Sequence, residues 1–63
     1  MNNFDYSFGD TVRDIYTDFK GVVTARCEYQ FGPNTYLVES IDSTGRPIEM
    51  WLSEERLARF VEV

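Results

Sequence analysis

The clearest regularity in the chain is the alternation from Gly21 to Phe31. Odd positions carry Gly21, Val23, Ala25, Cys27, Tyr29 and Phe31, whereas even positions carry Val22, Thr24, Arg26, Glu28 and Gln30. A period of two, with one apolar and one mostly polar face, predicts a long half-buried antiparallel strand. A helix would need apolar residues at i, i+3 and i+4, and this stretch does not supply them. The small residues Gly21 and Ala25 predict that the start of the strand passes close to another backbone. Upstream, Phe8-Gly9-Asp10 opens as a turn and leads into a short strand ending near Asp14, with Val12 as its core residue. Tyr16 to Gly21 link the two strands.

Downstream, Gly32-Pro33-Asn34 combines three strong turn formers and predicts a reversal. Thr35 to Ile41 is β-branched and aromatic, hence a third strand. Asp42-Ser43-Thr44-Gly45 predicts a hairpin turn with Gly45 at positive φ. Pro47 then precedes a fourth strand, Ile48 to Leu52, at a place where a missing N–H is tolerated. Ser53-Glu54-Glu55-Arg56-Leu57 reads as one helical turn, with Ser53 capping it and two acids at the positive end of its dipole. Ala58 to Val63 alternates again and makes a fifth strand. Short strands joined by hairpins, with one helical turn before the last, predict an all-β domain, a small five-stranded SH3-like barrel. An oligonucleotide-binding-type barrel is the alternative, but it would place a longer helix between strands three and four. A single domain is expected over 1–63, with residues 1–7 as a flexible N-terminal extension.

Length and composition narrow the function classes. A chain of 63 residues buries only about 60% of its unfolded surface, and scaffolds of this size usually add disulfides, a metal or a partner. Cys27 is the single cysteine and there is no histidine, so neither an intrachain disulfide nor a structural zinc site is expected, and no cofactor is implied. Association with a second copy remains. The net charge is −5, and Arg13, Lys20, Arg26, Arg46, Arg56 and Arg59 are scattered among acids. That opposes nucleic-acid binding, which draws on clustered positive charge. No apolar run approaches the ~20 residues of a membrane helix. The N-terminus lacks the pattern of a secretory signal, and a lone cysteine suits a reducing compartment, so a cytoplasmic location is expected.

The candidate chemistry is sparse. Cys27 has no histidine to activate it and reads as a small buried hydrophobe. Glu54 and Glu55 could pair as acid and base, but adjacent acids opening a solvated turn lack the dry cleft that raises one pKa. No enzyme is expected. The aromatics Tyr16, Phe19, Tyr29, Phe31, Tyr36, Trp51 and Phe60 exceed what so small a core can hold. In strands three and four alternation fails, since Tyr36-Leu37-Val38 and Met50-Trp51-Leu52 are apolar on both faces. A barrel has only one inside, so the second face is expected to meet another chain. Tyr36, Leu37, Val38, Met50, Trp51 and Leu52 are the candidate interface. A weaker set, Arg26, Arg46 and Arg56 with Tyr16 and Phe19, could hold a nucleotide by stacking and bidentate arginine contacts. The absence of a phosphate-cradling glycine loop and the negative charge count against it.

Several stretches together carry a resemblance. They are Gly9-Asp10-x-Val12-x-Asp14, then Phe19-x-Gly21-Val22-Val23-Thr24-Ala25-Arg26-x-Glu28-Tyr29, then Gly32, Tyr36-x-Val38 and Trp51-x-x-Glu54-x-Arg56-Leu57. This pattern resembles a group of short proteins encoded by tailed bacteriophages and prophages, over nearly the whole chain from Phe8. The resemblance implies a viral source and a small barrel, and it brings no catalytic residues. The leading expectation is a non-enzymatic phage accessory protein that acts by binding. It would be a homo-oligomeric interaction or assembly module whose partners are itself and a host or phage protein. The alternative is an anti-defence protein that binds a host defence protein or sequesters a nucleotide signal at subunit interfaces. An RNA-binding module like the KOW domains is the weakest reading, because of the charge.

Overall fold

The computed structural model describes residues 4–60. Its strands are β1 (Thr11–Asp14), β2 (Lys20–Cys27), β3 (Thr35–Ile41), β4 (Pro47–Ser53) and β5 (Leu57–Arg59), with a 3-10 turn at Glu54–Arg56. All are antiparallel neighbours in one sheet of order β4-β3-β2-β1-β5. Strand β1 therefore pairs with both β2 and the last strand, and the single helical turn separates β4 from β5. This is the five-stranded, SH3-like all-β arrangement that the alternation and turn signals predict. The β3–β4 hairpin follows its sequence closely. The Asp42 carboxylate accepts the Thr44 and Arg46 amides, both at 2.9 Å, and Gly45 takes φ +86°.

Two predicted strands are shorter. Strand β2 ends at Cys27 rather than Phe31, and residues 28–34 form the connection to β3. The fifth strand ends at Arg59, and residues 61–63 of the expected strand lie outside the described residues. The alternation along β2 is also broken inside the strand. Val23 pairs with Val38, but the next partner of β3, Leu37, meets Ala25, so Thr24 is an extra residue in a β-bulge. Paired residues share a face. Before the bulge Gly21 and Val23 face the core with Val38. After it Arg26 shares the inner side with Tyr36 and Leu52, while Ala25 and Cys27 lie on the outer side with Leu37 and Thr35. Cys27 is accordingly half-buried on the outer face and not a core residue.

The core is Val12, Val23, Tyr36, Val38, Leu52 and Leu57, with Phe4, Tyr6 and Phe19 packed against it. Gly21 is required by its closeness to β3. A Cβ there would collide with the Glu39 carbonyl oxygen and come within 2.8 Å of Val38 Cγ1. The expected close approach is thus found at Gly21, whereas Ala25 is half-buried on the outer face.

No register joins β4 to β5 among the described residues, and two side-chain clusters hold that part of the barrel together. The fully buried Tyr36 donates its hydroxyl proton to Glu54 Oε2 and accepts the Asp5 and Tyr6 amides at 3.0 and 3.4 Å. Glu54 also accepts Asn34 Nδ2 at 3.4 Å. Burial, then the Glu54 hydrogen bond, push the Tyr36 hydroxyl up to about 12. Burial alone would raise the Glu54 carboxyl, but hydrogen bonds from Tyr36, Asp5 and Asn34 bring it below its ordinary value. Glu54 is therefore a structural acceptor and not one of two solvated acids. Ser53 makes no side-chain cap, and the Glu54 amide instead donates to the Asn34 carbonyl at 2.8 Å.

The second cluster surrounds Asp14, which is completely buried at the end of β1. Arg56 donates Nε to Oδ1 at 3.1 Å and Nη2 to Oδ2 at 2.7 Å, and Thr17 and the Tyr16 amide complete the set. The Arg56 fork, followed by the Thr17 hydroxyl, holds the Asp14 carboxyl at about 2 against an ordinary 3.8. The expected N-terminal extension is likewise part of the domain from Phe4 onward. Phe4 and Tyr6 meet the Tyr36 ring edge-on at 6.0 and 5.3 Å, and Tyr6 donates its hydroxyl to the Leu57 carbonyl at 3.0 Å.

Replacing Gly21 by alanine should cost about 1–3 kcal/mol by overpacking against fixed backbone, a fall of roughly 4–8 °C in melting temperature per kcal/mol. Ala25→Leu, on the open face, should stay within about 1 kcal/mol of wild type. Equal effects at the two positions in thermal melts would contradict the bulge. Because the Asp14 pKa is depressed on folding, its stabilisation is complete above the ordinary carboxylate range and is lost as pH falls through about 2. Asp10, Asp42 and Glu54 are shifted the same way, so the contribution of Asp14 is read as a difference. Asp14→Asn should be less stable than wild type at pH 7 by urea titration, and the gap should narrow between pH 4 and pH 2. A gap independent of pH would show that the charge of Asp14 contributes nothing.

Candidate protein-binding face

The outer side of β2, β3 and β4 is assembled row by row from the registers. Ala25, Leu37 and Trp51 form one row across the three strands, and Cys27, Thr35 and Ser53 form the next. On the other side of the first row lie Val22, Glu39 and Glu49, and beyond them Ile41 and Pro47. Trp51 is 54% exposed and Ile41 68%, while Leu37 and Ala25 are half-buried by their neighbours. An indole left half in water beside a leucine is a large apolar surface for so small a sheet. The face is not uniformly apolar. Glu39 and Glu49 are directly opposed across strands, an arrangement that disfavours pairing, and Glu39 is engaged by the Thr24 hydroxyl.

The six residues expected at an interface separate into two groups. Tyr36, Val38 and Leu52 are buried, at 0%, 0% and 3% exposure, and so belong to the core. They cannot form a contact surface in the folded domain. Leu37 and Trp51 share the outer face, and Met50, opposite Val38, is exposed along the margin of β4. The doubled apolar runs arise because one member of each run fills the barrel and the next faces out.

The weaker nucleotide set is not brought together. Arg56 is committed to Asp14 and lies 5.3 Å from the Tyr16 ring centre. Arg26 sits between the rings of Phe4 and Phe8, at 4.3 and 4.7 Å, on the inner side of the sheet. Arg46 closes the β3–β4 turn through its backbone, and Phe19 packs on the core. These side chains present no common cluster to a phosphate or a base. Sequence reasoning missed the Phe4–Arg26–Phe8 stack because the bulge at Thr24 moves Arg26 to the inner face, and nothing in the local alternation signals it. It also missed the role of Glu54, whose partner Tyr36 lies eighteen residues away.

Further exposed aromatics lie in the loops, with Tyr16 between β1 and β2 and Tyr29 and Phe31 between β2 and β3. No helix among the described residues is long and apolar enough to cross a membrane. The chain matches no family model, no curated protein and no solved structure in these comparisons.

Proposed function

We propose that this protein is a non-enzymatic binding module that acts through the outer face of β2, β3 and β4, and that it self-associates there. The observation that carries the reading is the Ala25–Leu37–Trp51 row, an apolar band on the side of the sheet that does not form the core, half-buried at Ala25 and Leu37 and exposed at Trp51. Burying a large apolar side chain is worth about 1.5–3 kcal/mol, and aromatic residues are enriched where proteins meet. A domain of this size gains stability by mass action when its partner binds only the folded form. The resemblance of the sequence pattern to tailed-phage proteins supports a viral accessory role, in the cytosol of a bacterial host, with a host or phage protein as a further partner. Net charge −5 on each copy opposes encounter at long range, so association should strengthen with salt.

Wild type should be oligomeric by light scattering at about 100 μM, a concentration that populates micromolar complexes. Trp51→Glu places a charge on the exposed band without touching the core, so the fold should persist while association weakens at least tenfold, the equivalent of about 1.4 kcal/mol. A folded wild-type monomer at that concentration would remove self-association from the reading.

A further inference from the structure

Strand β4 is an outer strand of the sheet, and its hydrogen-bonding alternation can be read from its two ends. Just before it, the Asp42 amide donates to the Arg46 carbonyl at 2.9 Å, and just after it the Glu54 amide donates to the Asn34 carbonyl at 2.8 Å. Between them the β3–β4 register runs without a shift, from Ile41 opposite Pro47 to Thr35 opposite Ser53. Bonded and non-bonded pairs alternate in an antiparallel ladder. Ile48, Met50 and Leu52 therefore direct their backbone groups to β3, whereas Pro47, Glu49, Trp51 and Ser53 direct theirs away from the sheet. Pro47, which has no N–H to give, occupies an outward position, as that alternation requires.

Outer strands are commonly blunted by lysine, by a proline within the strand, by a bulge or by shortness. β4 has seven residues, its proline is the first of them, and Glu49 is its one charged side chain. Among the described residues no strand pairs with the outer side of β4 from Glu49 to Ser53, beside the exposed Trp51 and Met50.

We infer that β4 pairs with β4 of a second copy, antiparallel about a two-fold axis at Trp51, joining the two sheets edge to edge. This rests on the self-association reading and moves the contact from the whole outer face to its β4 margin, where the two Trp51 side chains meet. Three self-complementary registers pair at least three of the four outward residues. With the axis at Glu49 the two carboxylates face each other, which disfavours pairing. An axis at Met50 sets Pro47 opposite Ser53, a pair that forms one hydrogen bond where two are possible because proline has no N–H, and it sets Trp51 against Glu49. With the axis at Trp51, the two Trp51 residues are opposed, Glu49 faces Ser53, and Met50 faces Leu52. Every outward N–H and C=O from Glu49 to Ser53 then has a partner, and no like charges are opposed. The Ala25–Leu37–Trp51 rows of the two copies also become one continuous apolar band. A second copy fits this edge because the same short segment supplies the matching donors, acceptors and apolar row, which is the condition for an isologous two-fold contact.

The decisive measurement is amide hydrogen exchange, resolved by residue, on the wild-type chain at rising concentration. The amides of Ile48, Met50 and Leu52 should be protected at every concentration. Those of Glu49, Trp51 and Ser53 should exchange freely in dilute solution and become protected in step with dimer formation by light scattering. Glu49→Pro deletes one outward donor and leaves the β3 ladder intact, so it should weaken the dimer at least tenfold with an unchanged far-UV spectrum. A synthetic chain N-methylated at Trp51 should do the same with every side chain retained. Free exchange of Glu49, Trp51 and Ser53 in a sample shown to be oligomeric would overturn edge pairing and leave the outer-face reading standing. A monomer at about 100 μM would overturn both.

Discussion

Among the described residues the outermost strands do not pair with each other, so something besides the backbone must keep the sheet curled, and the buried hydroxyl of Tyr36 supplies much of it. The ring fills the centre of the core at the β3–β4 hairpin. Its oxygen meets the Glu54 carboxylate in the turn that leads to β5, together with the amides of Asp5 and Tyr6 in the N-terminal segment. One side chain thus ties the hairpin and the turn that follows it to the N-terminal segment, which no strand pairing holds among the described residues. A polar group so deeply buried is expensive unless it is bonded, which ties the position of the turn and of the N-terminal segment to it. Asp14 and Arg56 do the same on the other side of that turn, with a completely buried carboxylate and a bidentate fork. The 3-10 turn is consequently held from both flanks, although three residues would not stay helical by themselves.

The bulge at Thr24 has the larger consequence for the surface. A single extra residue exchanges the faces of β2. It takes Arg26 inward, where its guanidinium lies between Phe4 and Phe8, and it turns Ala25 outward beside Leu37. Stacked guanidinium is more easily placed against apolar surface than an ammonium would be, so this side chain lies against both rings while remaining exposed to water. The same exchange extends the outer apolar row across three strands instead of two.

Much of the architecture was legible in the chain. The third strand, its turn and the beginning of the fourth are written in β-branched residues, an aspartate able to accept its neighbours' amides, a glycine at positive φ, and a proline where no donor is needed. Those are local preferences, set by sterics and by hydrogen bonds within a few residues, and they act wherever the segment sits. The order of five strands with one short turn before the last follows from their spacing. The doubled apolar runs in strands three and four correctly signalled two apolar faces.

Which member of each run faces which way was decided only in three dimensions. Tyr36, Val38 and Leu52 went inside and Leu37 and Trp51 outside, because a strand's facing is set by the partner it pairs with and by the element that covers it. The end of β2 at Cys27 and the bulge before it depend on the register against β3. The fastening of the N-terminal segment depends on a tyrosine some thirty residues away in sequence. Alternation determines that two faces exist and what each carries. Only the packed structure determines which face is covered, because burial belongs to pairs of surfaces and the sequence presents them one at a time.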